Sequence, residues 1–215
     1  MERKIKGLIF DLDGVLVFTD RFHALAWEAV AKEIGCSVGN ELRDRLRGIS
    51  RMESLELILR ENGRTELSKE EKEKLAERKN LLYREYLDAM TPADVSAEVR
   101  ETLDALRRRG YLLAVGSSSR NAEYILCRVG LSEFFDALSD GNAITRSKPD
   151  PEVFLKAAGR MKLSPALCAV VEDAPAGIQA AHACGMLALS VGDAVPAGDA
   201  DIHLSRFSEL LRWFD

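Results

Sequence analysis

The segment Gly7-Leu8-Ile9-Phe10-Asp11-Leu12-Asp13-Gly14 constrains the fold more than any other stretch of this 215-residue chain. An apolar run this short, bounded by charge and glycine, fits a strand buried in a parallel sheet. A strand turns successive side chains to opposite faces, so Asp11 and Asp13 are expected to point one way and Leu12 the other. Two carboxylates then share the space at a strand's C-terminal end, where open α/β sheets take their ligands. Carboxylates this close repel unless a cation or a shared proton intervenes. The pair therefore predicts a hard metal ion, or a nucleophile working beside an acid/base.

After this strand the pattern turns helical. Phe22, Leu25, Ala26, Ala29 and Val30 recur at helical spacing over residues 20–34, which end at Gly35. Ser50-Arg51-Met52-Glu53 forms a capping box ahead of Leu55, Leu57, Ile58 and Leu59, and Asn62-Gly63 closes that run. A charged helix from Ser68 reaches about Ala89, where Thr91-Pro92 breaks it. From residue 97 onward helices and strands alternate, with strands expected at 111–116, 135–138, 168–171, 186–191 and 202–204. Such alternation predicts a parallel sheet with helices on both faces. The chain thus reads as an α/β core domain of residues 1–16 and 92–215 and an inserted all-α domain of residues 17–91.

Lys and Arg number 30 against 35 Asp and Glu, a net charge of −5 with no basic stripe, which disfavours nucleic acid as a partner. Arg107-Arg108-Arg109 ends a helical pattern before Gly110, where cations suit the helix dipole. Cys36, Cys127, Cys168 and Cys184 form no C-x-x-C pair and read as reduced thiols. Met1-Glu2-Arg3-Lys4 lacks the apolar region of a signal peptide, and no apolar stretch approaches membrane-spanning length. A soluble, cytoplasmic monomer acting on small molecules, without nucleic acid or membrane, is the expectation.

Three further segments carry residues suited to phosphate. Ser117-Ser118-Ser119-Arg120-Asn121 follows a strand and offers hydroxyls and N–H groups at a helix start, although Ser and Asn also serve as plain caps. Lys148-Pro149 offers a point charge where Pro is otherwise a routine helix opener. Val170-Val171-Glu172-Asp173 is a second apolar strand running into carboxylates, either of which could instead cap the segment from Pro175. Four successive strand ends carrying Asp-x-Asp, Ser, Lys and Glu-Asp in that order are hard to explain by capping alone.

That ordered set resembles the haloacid dehalogenase superfamily of phosphotransferases, along the whole chain. The resemblance implies a Rossmann-like doubly wound parallel sheet with a helical cap. It implies Asp11 as the nucleophile that forms an aspartyl-phosphate, Asp13 as general acid/base, and Ser117 and Lys148 as ligands of the transferring phosphoryl group. Asp11, Asp13, Glu172 and Asp173 would hold Mg²⁺. An anionic carboxylate attacking a phosphate at 4 Å meets about 4 kcal/mol of repulsion per charge pair at an effective dielectric near 20. Mg²⁺ and Lys148 would offset it.

The cap pieces narrow the resemblance. His23 with Ala26-Trp27, Leu46-Arg47-Gly48-Ile49-Ser50-Arg51, Arg78-Lys79-Asn80 and Thr91-Pro92-Ala93-Asp94-Val95 are similar to the β-phosphoglucomutase branch, as is Glu172-Asp173-Ala174-Pro175-Ala176-Gly177-Ile178-Gln179-Ala180. Arg51, Ser119 and Asn121 would then hold the non-transferring phosphate of a sugar bisphosphate. Thr19 and His23 would support the acid/base near the hinge, and Trp27, Gly48, Ser54, Lys79, Ser118 and Arg120 would join the substrate contacts. A lone Arg51 also suits a solvated surface, and Trp27 also suits cap core. Two positions depart from the branch's pattern: Phe18 stands where Asp is frequent, and Arg120 where Lys is usual. His182 and His203 have no motif partners and read as structural.

The implied activity is a Mg²⁺-dependent exchange of β-D-glucose 1-phosphate and D-glucose 6-phosphate, with β-D-glucose 1,6-bisphosphate as phosphoryl-donating activator. A sugar-phosphate phosphatase on the same fold is the nearest rival. A non-catalytic binding protein is the remote one.

Overall fold

The structure, a computed structural model, describes residues 4–46 and 49–215. In chain order the elements are β1 (Gly7–Phe10), α1 (Asp20–Glu33), α2 (Asn40–Arg45), α3 (Arg51–Glu61), α4 (Lys69–Leu87), α5 (Ala97–Arg108), β2 (Leu112–Gly116) and α6 (Ala122–Arg128). They continue with β3 (Ala137–Ser139), α7 (Glu152–Arg160), β4 (Cys168–Glu172), α8 (Pro175–Ala183), β5 (Leu187–Val191), β6 (Ile202–Leu204) and α9 (Leu210–Trp213). The chain divides into two compact units, Met1–Phe18 with Thr91–Asp215, and Thr19–Met90.

The first unit holds a six-stranded sheet in the order β3-β2-β1-β4-β5-β6, every pair parallel. This is the doubly wound arrangement, with its switch point between β1 and β4. Ile9 lies opposite Ala114 and Val170, and Val170 opposite Ala188. That row packs with Val153, Phe154 and Ala157 of α7 and Ile178 and Ala181 of α8. One residue on, Phe10 faces the other way and its ring meets those of Phe207 at 5.8 Å and Phe135 at 6.3 Å. α5 packs beside the Phe207 turn and α9. With both faces covered, the strands need continuous apolar runs, which is why Leu8, Ile9 and Phe10 are wholly buried. Each such side chain contributes roughly 1.5–3 kcal/mol.

The predicted element ends agree to within two residues in this unit, with one correction. Lys148 does not stand at a strand end; it lies in the long connection between β3 and α7, nine residues beyond Ser139. Strand β1 also stops at Phe10, and Asp11 continues the ladder only through its N–H to the Val171 carbonyl at 2.9 Å.

In the second unit α3 and α4 each open on a complete capping box, Ser50 with Glu53 and Ser68 with Glu71. Trp27, Ala31, Leu42, Leu55, Ile58, Leu59 and Ala76 form its core, so Trp27 is packing as well as a candidate contact. Asn62 closes α3 by donating to the Ile58 carbonyl at 2.8 Å and the Ser37 carbonyl at 3.0 Å, while accepting from Ser37 N–H at 2.9 Å. Helix α2 was not legible, because six residues give a 3.6-residue period too few turns. Among the described residues no helix is long and apolar enough to cross a membrane.

Candidate active site

Phe10 and Val171 are paired across β1 and β4, so Asp11, just past β1, and Glu172, the last residue of β4, stand side by side. The Lys148 ammonium joins them, bonding Asp11 Oδ1 and, at 2.6 Å, Glu172 Oε1. The other Glu172 oxygen accepts from the N–H groups of Asp173 at 2.9 Å and Ala174 at 3.0 Å. All three side chains are buried, and Lys148 Nζ also lies 4.8 Å from the Phe154 ring centroid. Two glycines make the room. A Cβ at Gly177 would collide with the Glu172 carboxylate, and one at Gly14 with that of Asp173. Gly14 has φ +94°, the region that glycine enters without strain.

Burial pushes the Asp11 carboxyl well above its ordinary range; Lys148 pulls it down, while Glu172, Asp173 and Asp13 push it further up. Burial alone would depress Lys148, but Asp11 and Glu172 more than reverse this, and the ammonium is held above the ordinary lysine range. It is a fixed cation at neutral pH.

Three carboxylates thus act on that of Asp11, and Asp173 rests against the turn that carries Asp11 and Asp13. Oxygen-only donors of this kind suit a hard divalent ion such as Mg²⁺. Among the described residues no three His, Cys, Asp or Glu are already gathered around a point. The donors are adjacent, with Asp11 and Glu172 drawn to Lys148.

At the end of β2, Ser117 N–H bonds the Ser139 carbonyl at 3.0 Å. Ser117 Oγ accepts from Ser119 N–H at 3.1 Å, and Ser119 Oγ from Asn121 N–H at 3.2 Å. The loop's own hydroxyls therefore engage two of the N–H groups expected to face an anion, and α6 behind them has only seven residues. Asn121 precedes α6 without a side-chain capping bond, which sets aside its reading as a plain cap. Ser118 Oγ is buried with no hydrogen-bond partner among the described residues, and Arg120 is exposed.

The helical unit gathers a second cluster. Lys79 is buried, its Nζ 2.7 Å from His23 Nδ1, 4.4 Å from the Tyr83 ring centroid and 5.3 Å from that of Trp27. The Tyr83 hydroxyl donates to Thr19 Oγ1 at 3.1 Å, and its ring centroid lies 4.0 Å from that of His23. An ammonium has no lone pair to offer, so Nδ1 is the acceptor and the imidazole proton sits on Nε2. Burial first, then the charges of Lys79 and Arg51, hold His23 well below the usual histidine range. Arg51 opens α3 but is no solvated surface arginine: it donates to Asn80 Oδ1 at 2.8 Å and lies 3.6 Å from Glu77. Ser54 is buried on the same helix. Gly48, with Arg47, lies outside the described residues.

Sequence reasoning missed Tyr83. The signal was present in the spacing: Thr19, His23 and Trp27 repeat every four residues, as do Lys79 and Tyr83, and such residues share a helix face. The bland readings hold elsewhere. His182 meets Asp201 at 3.3 Å and His203 meets Ser190 at 3.1 Å. Arg109 binds the carbonyls of Leu211 at 2.8 Å and Phe214 at 2.6 Å, tying down the C-terminus instead of an anion.

Comparison with known proteins gives the chain its relatives. A model of the haloacid dehalogenase-like hydrolases matches residues 5–185. Beta-phosphoglucomutase of Bacillus subtilis is 40% identical over 207 residues, 96% of this chain and 92% of that protein. Fructose-1-phosphate phosphatase YqaB of Escherichia coli is 33% identical over 192 residues, 89% of this chain and 98% of that protein. The crystal structure of a beta-phosphoglucomutase from Clostridium difficile superposes with a TM-score of 0.90 at 34% identity, covering 96% of this chain and 93% of that one.

Proposed function

This chain belongs to the haloacid dehalogenase-like hydrolase family, and from that premise we propose that it interconverts β-D-glucose 1-phosphate and D-glucose 6-phosphate through β-D-glucose 1,6-bisphosphate. The observation that carries the reading is the buried Lys148 ammonium between Asp11 and Glu172 at the sheet's switch point. A carboxylate held beside a fixed cation can approach a phosphate that would otherwise repel it.

An Asp11 oxygen attacks phosphorus, and the bond from phosphorus to the sugar oxygen breaks as Asp13 delivers a proton to that oxygen. In the opposite half of the cycle phospho-Asp11 passes its phosphoryl group to the free hydroxyl of a bound monophosphate as Asp13 takes that hydroxyl's proton, and the bisphosphate so formed reorients to present its other phosphate to Asp11. Lys148 and Ser117 hold the oxygens of the group in transit. Asp11, Asp13 and Asp173, with Glu172 beside them, would hold Mg²⁺, which when bound would offset the charge of the phosphoryl group. Arg51, Ser119, Arg120 and Asn121 take the phosphate that stays. His23, carrying its proton on Nε2, donates to the sugar or to Asp13, with Thr19, Lys79, Trp27, Gly48, Ser54 and Ser118 completing the contacts. Substrates are small sugar phosphates, the bisphosphate primes the enzyme, and the chain works in the cytoplasm as a monomer with residues 17–91 as its cap.

A phosphatase is the second reading, favoured by the likeness to the fructose-1-phosphate phosphatase and by Phe18, which is 69% exposed where the mutase branch frequently has Asp. One assay separates them: β-glucose 1-phosphate with Mg²⁺ and a trace of the 1,6-bisphosphate, following glucose 6-phosphate and free phosphate together. Glucose 6-phosphate without matching phosphate is the expected result. Dominant phosphate release would make the enzyme a phosphatase.

A further inference from the structure

The connection between β3 and α7 grips the Ser117–Asn121 loop from the side. Gly141 N–H donates to the Ser119 carbonyl at 3.0 Å, and Asn142 Nδ2 donates to the Arg120 carbonyl at 2.9 Å. The same carboxamide nitrogen donates to Asp140 Oδ2 at 2.9 Å. Asp140, itself buried, also accepts from the N–H groups of Asn142 at 3.1 Å and Ala143 at 3.2 Å. Asn142 therefore stands on a carboxylate held by its own N–H and that of Ala143, and reaches across to a neighbouring loop. Gly141 allows the approach. A Cβ there would run into the Ser118 carbonyl oxygen and come within 2.9 Å of Arg120 N.

We propose that Asn142, with Gly141, is a positioning residue for the non-transferring phosphate: it fixes the backbone of Ser119-Arg120-Asn121 so that their side chains meet that phosphate. The inference rests on the functional reading of this loop given above. Its geometry is independent of that reading, because Asn142 touches Arg120 and Asp140 and none of Asp11, Asp13 or Lys148 through the hydrogen bonds described. The side chain chemistry is specific. Only a carboxamide supplies two N–H groups from one nitrogen, one for a carbonyl and one for a carboxylate, while carrying no charge that would repel a phosphate.

The test compares Asn142→Ala and Gly141→Ala with the unaltered enzyme in three measurements. These are KM and kcat for β-glucose 1-phosphate at saturating 1,6-bisphosphate, the rate of phosphoenzyme formation from acetyl phosphate, and thermal unfolding. Asn142 is exposed, so its alanine variant is expected to fold. Its KM should rise about tenfold, with kcat within a factor of two and the acetyl phosphate rate unchanged. Gly141→Ala should show a larger rise of the same kind. Unchanged KM in Asn142→Ala, or an equal fall in the acetyl phosphate and sugar-phosphate rates, overturns the inference alone. An unaltered enzyme that turns over no sugar phosphate overturns the functional reading and this inference with it.

Discussion

Lys148 and Lys79 are both buried ammonium groups, 8% and 3% exposed, and the neighbours described above for each differ in kind. In the α/β unit Lys148 is set between two carboxylates, so countercharge replaces lost water and the lysine holds its proton more firmly than a free one. In the helical unit Lys79 meets an imidazole nitrogen and the faces of Tyr83 and Trp27, and it is the histidine that gives up its charge. The first arrangement is a rigid ion-paired platform. The second makes the protonation of one group depend on another. That difference suits their proposed tasks: chemistry needs a fixed cation, whereas a recognition group gains from a neutral donor whose proton position is set.

Lys148→Met attacks the first arrangement and should have the largest effect. Breaking a buried pair leaves Asp11 and Glu172 facing each other, at a cost of roughly 3–5 kcal/mol read from urea unfolding. It should also lower kcat roughly 10²–10³-fold or more. Without Lys148 the Asp11 carboxyl rises further, so the residual activity should fail at a higher pH on acidification. A variant as stable as the parent would show that the pairing contributes nothing.

Arg51→Ala comes next and tests the other unit. The sugar-phosphate reaction should fall about 100-fold while phosphoenzyme formation from acetyl phosphate is spared. Equal loss in both assays would sink the assignment of Arg51 to the second phosphate.

Lys79→Met sharpens the contrast directly. His23 is depressed in the folded chain, so as pH falls below about 6.5 the unfolded state takes up its proton first and stability declines from there through the folded value. Removing Lys79 leaves burial and Arg51 in place but should move the His23 titration upward and flatten that decline, as seen by NMR of the imidazole. An unmoved titration would mean that Lys79 does not set the histidine's state.

The smallest effect is expected at Glu152, which accepts from Lys156 at 2.6 Å, Arg146 N–H at 2.9 Å and Thr145 N–H at 3.0 Å, tethering the connection that delivers Lys148. Lys156 foremost, then these N–H groups, hold its carboxyl at about 2. The contribution is present above the ordinary value near 4.5 and is lost as pH falls toward 2. Glu152→Gln should reduce the slope of stability against pH in that window. An unchanged slope between Glu152→Gln and the parent would remove the tether.

The two regions were also unequally legible. Asp11, Asp13, Glu172 and Asp173 announce themselves because an apolar strand stops at a carboxylate, and strand ends in a parallel sheet converge whatever the loops do. The order of motifs suggests a strand end for Lys148, whereas it lies in a long connection, which leaves no periodic trace. In the helical unit His23 and Lys79 are 56 residues apart, and their meeting depends on how α1 packs against α4, which no local pattern encodes. Tyr83 shows the limit: its four-residue spacing from Lys79 was visible, but a tyrosine on a helix face reads as core until its partners are known. Asn142 gave no signal, because its partners belong to two loops.

Gly177 sits in the first turn of α8, and its missing side chain is the space that the Glu172 carboxylate fills. Alanine is the strongest helix former and would normally improve such a position by about 0.5–1 kcal/mol. Here the usual order of preference is inverted. In a survey of every substitution along the chain, the residue that best suits the helix would rank among the worst at 177, and selection for a more robust fold would run against selection for a working lysine 29 residues away in sequence but one carboxylate away in space.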